Sequence, residues 1–117
     1  MGIVGAILVL VVVVIHILIF IIEVFQWTRP IGLMIFNLEE KFANSTKVMA
    51  INQGWYNLFL AAGLIYALLS RNFGDSIFFL ACVSIAGIVG GITSSKKIVL
   101  VQTVPAILAA IFLILRI

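Results

Sequence analysis

One cysteine, two prolines, one histidine and four acidic residues are spread over 117 positions, and these shortages exclude whole classes of protein. Cys82 has no second thiol in the chain, so a disulfide framework is excluded and the residue reads as a small packed apolar side chain. Charged residues amount to 9%, against about a quarter in soluble domains, too few to clothe a water-exposed surface. The net charge of +3 comes from short polar loops rather than a basic face, and nucleic acid is not an expected partner. No glycine-rich phosphate cradle and no nucleophile–base pair is present. A lone His16, with Glu23 two helical turns away, lacks the ligand count of a structural zinc site. No metal and no cofactor is expected.

What the chain has instead is hydrophobic sequence: 65% of residues, with a mean hydropathy of +1.38. Four apolar runs stand out, over residues 3–25, 48–69, 76–92 and 98–115. Each approaches or exceeds the roughly 17 to 25 residues that a helix needs to cross about 30 Å of hydrocarbon. The runs are continuous rather than alternating, which argues for helices over barrel strands. The first run has no charged segment before it, no small-residue cleavage site and a core too long for a cleaved signal. The expected fold is all-α: a polytopic membrane protein with four transmembrane helices in an antiparallel bundle. Residues 1–117 would form one domain, with spans at about 3–26, 47–69, 76–93 and 97–116.

Arg29, Lys41 and Lys47 lie between the first two spans, and Lys96 and Lys97 precede the fourth, whereas the other side carries only Arg71 and Arg116. Positive charge in short loops marks the cytoplasmic side, so loops 27–46 and 94–97 are expected in the cytoplasm and both termini outside. Within the first loop, Pro30 suits an opening helical turn, and Ile31, Met34, Ile35, Leu38 and Phe42 recur at helical spacing. That pattern predicts a short amphipathic interfacial helix. Ser45 or Thr46 would cap the second span, and "RNFGD" at 71–75 would make a tight turn. Gly87 and Gly91 form a G-x-x-x-G pair that lets a neighbouring helix approach closely. Pro105 should loosen the last span and free a carbonyl one turn earlier.

Polar residues inside the spans are few and grouped. In the first span His16, Glu23 and Trp27 fall on one stripe, with His16 and Glu23 about 10 Å apart along the axis. In the second, Asn52, Gln53, Tyr56 and Asn57 occupy an arc of about 140 degrees. The fourth adds Gln102 and Thr103. In the expected topology most of these sit in the cytoplasmic half, about 5 to 15 Å below the surface. An ionised carboxylate deep in a bilayer costs about 2.5 to 3.5 kcal/mol even on the lenient scale, so Glu23 needs a partner, a proton or water. No Lys or Arg is available at its depth. Trp27 and Trp55 also suit an interfacial aromatic belt.

The stretches "IHILIFIIEVFQW", "NQGWYNLFLAAGL" and "SKKIVLVQTVPAILA" resemble small four-helix bacterial integral membrane proteins of the thirteen-oh-four domain-of-unknown-function family. The resemblance covers nearly the whole chain. It implies four helices and a cell-membrane location, and it brings no activity.

Three functions remain open. The first is a cytoplasm-facing intramembrane pocket, lined by His16, Glu23, Asn52, Gln53, Tyr56, Asn57 and Gln102, that binds or moves protons or a small or amphipathic ligand. A second is a membrane-embedded enzyme using Glu23 and His16 as acid and base on a lipid-like substrate. In the third, the polar residues only fix helix register in a structural subunit. The expected partners are the lipid bilayer, a small or lipid-like ligand, and a second copy of the chain, since a four-span pathway usually needs a homodimer.

Overall fold

Helix α1, Ile3–Ile21, is apolar on every face but for the single His16, which suits a helix surrounded by apolar matter rather than one bordering water. The computed structural model describes all 117 residues and holds four more α-helices. They are α2, Pro30–Ile35; α3, Glu40–Leu69; α4, Phe73–Thr93; and α5, Val104–Ile114. A π-helical turn continues α1 over Ile22–Gln26, and another leads into α5 over Val99–Thr103. The chain is all-α, with no strand.

Two helices are long and apolar enough to cross a membrane: Ile3–Gln26, with mean hydropathy 3.4, and Phe73–Thr93, with 2.1. A core helix of a soluble protein would be mostly buried, whereas the most apolar windows of these two are 28% and 22% buried. Helix α3 has the length, but Asn52, Gln53 and Asn57 dilute its apolar stretch. The last apolar helix, Val99–Ile114, is shorter.

The chain forms two compact units, His16–Phe59 and Met1–Ile15 with Leu60–Ile117. In the first, Pro30 opens α2 as expected, but the helix ends after one and a half turns. Asn37 takes the left-handed conformation (φ 52°), and the amide of Leu38 bonds the Leu33 carbonyl at 2.9 Å. This is a Schellman closure, and asparagine is one of the few residues that accepts it readily. Leu38 and Phe42, expected to extend the amphipathic face of this helix, therefore lie beyond its end. Ser45 and Thr46 do not cap α3 either. The helix already starts at Glu40, and both hydroxyls donate back to the Phe42 carbonyl, at 2.9 and 2.8 Å.

In the second unit the 71–75 segment turns as expected. Asn72 caps α4, its side-chain oxygen accepting from the Asp75 amide at 3.0 Å. The G-x-x-x-G pair is used within the chain: a Cβ on Gly87 would fall 2.1 Å from Thr103 Oγ1, and one on Gly91 2.2 Å from Val99 Cγ2. Thr103 donates to the Ser84 carbonyl at 2.9 Å, joining the Val99–Thr103 turn to α4. That turn ends with the Val104 amide on the Val99 carbonyl, one residue further back than in an α-helix. Pro105, which has no N–H, comes directly after it.

Two helix ends in this unit close with arginine where glycine is favoured. At α3, Arg71 (φ 52°) sends its amide to the Leu68 carbonyl and Asn72 bonds Ala67; at α5, Arg116 (φ 60°) bonds Leu113 and Ile117 bonds Phe112. Both are Schellman motifs with a side chain at the left-handed position, which costs about 1 kcal/mol relative to glycine. Arg71→Gly should therefore raise stability by about 1 kcal/mol, read as an increased midpoint of reversible unfolding in detergent.

Candidate functional site

Glu23 sits in the π-helical turn that ends the first long helix, and its exposure is 0%. A π turn adds one residue to the helical count and so rotates the residues after it about the helix axis; such turns recur at functional sites. Facing it is Gly54 of α3, where an added Cβ would fall 2.7 Å from Val24 Cγ2 and 3.2 Å from Glu23 Cβ. The absence of a side chain at Gly54 lets the α3 backbone close on Glu23.

Gln53 and Asn57, four residues apart and hence on one face of α3, straddle the carboxylate. Gln53 Nε2 donates to Glu23 Oε2 and Asn57 Nδ2 to Oε1, both at 2.6 Å. Asn57 Nδ2 also donates to the Gln53 backbone carbonyl at 3.2 Å, which ties this amide to the preceding turn of α3. Both donors are neutral, so the clamp orients the carboxylate without cancelling its charge. A carboxylate has about four lone-pair positions, and this arrangement uses two of them, leaving acceptor capacity for a proton or a cationic group.

A second polar link lies nearby. Trp27 Nε1 donates to Thr46 Oγ1 at 3.0 Å, and the Phe20 ring meets Trp55 edge-on at 5.3 Å. Trp27, expected at an interfacial belt, is thus also tied to α3.

The remaining candidates are dispersed. His16 is fully buried, two turns before Glu23 on the α1 stripe that contains Val9 and Val12. Asn52 and Tyr56 form the neighbouring i, i+4 pair on α3 and point outward; the Tyr56 ring packs against Phe59 at 6.0 Å. Gln102 is half-buried in the Val99–Thr103 turn, in the other compact unit. Sequence reasoning missed Gly54. A signal for it exists: the buried positions Ala50, Gly54, Asn57, Ala61, Leu64 and Ala67 recur every three or four residues, and most are small.

Residues 10–114 match the family described as "Protein of unknown function (DUF1304)". The chain belongs to this family. The DUF1304 match takes in Glu23, Gly54 and both clamping amides, along with His16 and Gln102. No curated protein and no solved structure matches the chain. The DUF1304 description names no reaction, so the clamp is the feature from which a function has to be read.

Proposed function

We propose that this DUF1304 protein is a four-span integral membrane protein that takes up and releases protons, or a small cationic or amphipathic ligand, at Glu23. The observation that carries the reading is a fully buried carboxylate gripped at both oxygens by neutral amides, at the end of a helix apolar enough to cross a membrane. Ionisable groups in such helices mark proton and ligand pathways, because evolution has little other use for so costly a residue. Gln53 and Asn57 orient the carboxylate, and His16, two turns further along α1, extends the relay. Asn52, Tyr56 and Gln102 are candidate ligand contacts. The positive-inside rule favours a cytoplasmic position for loops 27–46 and 94–97, and a homodimer would complete the pathway.

The fact that Gln53 and Asn57 already satisfy Glu23 also favours a structural role, in which the clamp only fixes helix register. A pH gradient across vesicles loaded with a pH-sensitive dye separates the two. With the wild-type chain the gradient should decay faster than in empty vesicles, and Glu23→Gln, which keeps the shape and removes the exchangeable proton, should restore the empty-vesicle rate. Equal decay for wild type and Glu23→Gln would leave the structural role standing.

A further inference from the structure

The compact unit Met1–Ile15 with Leu60–Ile117 carries an open groove of about 800 Å³, floored by the buried Leu113 and flanked by exposed side chains. Its walls come from the start of α1, the end of α3, the start of α4 and the end of α5, and include Leu10, Leu68, Phe73 and Leu113. The only charged side chains on its lining are Arg71 and Arg116, and the lining has no carboxylate side chain. Its size is that of a ligand cleft, and its chemistry is divided: apolar walls with two guanidiniums.

The backbone supplies a second observation. Arg71 and Arg116 are the two left-handed residues that close α3 and α5, at positions where glycine would be unstrained. Asn37, the third left-handed residue, has a side chain suited to that conformation; arginine has no such excuse. Two helix ends accept the same strain, and both arginines so placed border the same groove.

We propose that this groove binds an anionic phospholipid, its phosphate bridged by Arg71 and Arg116 and the upper part of an acyl chain lying against Leu10, Leu68, Phe73 and Leu113. Planar guanidiniums match phosphate oxygens two at a time, and a pair of them without a competing carboxylate favours an anion over a zwitterion. The apolar walls select an amphiphile over a free anion. The proposal rests on the chain residing in a bilayer, but not on proton exchange at Glu23.

The test is lipid binding to the purified full chain in neutral detergent, read by native mass spectrometry. Dioleoylphosphatidylglycerol should bind at one equivalent and more tightly than dioleoylphosphatidylcholine, which has the same acyl chains. Arg71→Gly with Arg116→Gly should weaken phosphatidylglycerol at least about tenfold, as each lost charge-assisted bond is worth roughly that factor, and leave phosphatidylcholine unchanged. Glycine suits both backbone positions, so this variant should unfold no more easily than wild type and its loss of lipid cannot be put down to misfolding. Arg71→Lys with Arg116→Lys, which keeps the charge but loses the two-pronged geometry, should recover only part of the affinity. Equal binding of the two lipids, or an unchanged glycine variant, would overturn the proposal. So would inorganic phosphate competing as strongly as the lipid, which would make the site one for a free anion. A chain that stays dissolved without detergent would instead refute the membrane reading beneath it.

Discussion

Asn57→Leu should cost about 1.5 to 3 kcal/mol, the worth of a hydrogen bond to a charged group. The replacement is apolar and similar in size, so the loss isolates the donor that meets Oε1 at 2.6 Å. Gln53→Leu should cost less, about 0.5 to 1.5 kcal/mol, because Gln53 is exposed and its bond to Glu23 is only part-buried. The double variant should lose more than the sum, since the carboxylate then has neither amide. Replacing Glu23 as well, all three with leucine, should bring stability back to within about 1 kcal/mol of wild type, because no buried charge remains to be satisfied. Reversible unfolding in mixed detergent micelles, followed by circular dichroism, gives all four values. The triple variant is the informative one: it should be folded and inactive in the proton assay, as expected of residues kept for chemistry rather than for stability. An Asn57→Leu cost near 0.6 kcal/mol, the average for neutral bonds between membrane helices, would show that the carboxyl is not held as an anion.

How much of the fold and site was legible in the sequence depends on which signal carried it. Composition sufficed for an all-helical chain, and the spacing of Glu23 along the first apolar run put it on the stripe that the fold buries. The choice between the pairs Asn52/Tyr56 and Gln53/Asn57 was not legible from the amides themselves. The two pairs lie about 100 degrees apart on one helix, and either could have faced inward. The small residues decide: Gly54 and Ala61 share the face of Asn57, and a face without bulk is the one that a neighbouring segment can approach.

The two π turns divide in the same way. Pro105 announces a disturbance one turn before itself, and the turn Val99–Thr103 is where it falls. The turn Ile22–Gln26 has no proline or glycine within it, and an inserted residue leaves little mark on a run whose only polar residues before Gln26 are His16 and Glu23. The early end of α2 was missed for a different reason. Hydrophobic spacing continues smoothly through Leu38 and Phe42, but Asn37 can adopt the left-handed conformation cheaply, and that local choice outweighs the spacing.

Helix α4 permits a prediction in which the same substitution class has opposite signs at two glycines. Gly87→Val should destabilise by about 2 to 3 kcal/mol. A Cβ there would lie 2.1 Å from Thr103 Oγ1 and 2.9 Å from the Thr103 backbone nitrogen. A side chain can rotate away, but the backbone nitrogen can retreat only if the whole Val99–Thr103 turn moves, and that movement also breaks the Thr103 bond to the Ser84 carbonyl. At Gly74, in the first turn of the same helix, the one atom near an added Cβ is Asn72 Oδ1 at 3.4 Å, an ordinary contact. Gly74→Ala should therefore stabilise, by up to about 1 kcal/mol, through the lower conformational entropy of the unfolded chain. The difference between the two variants, read from unfolding midpoints under identical conditions, measures how tightly the turn before α5 is seated on α4. A Gly87→Val chain as stable as wild type would mean that this turn can move without loss, and the close approach would then not be what fixes Thr103 in place.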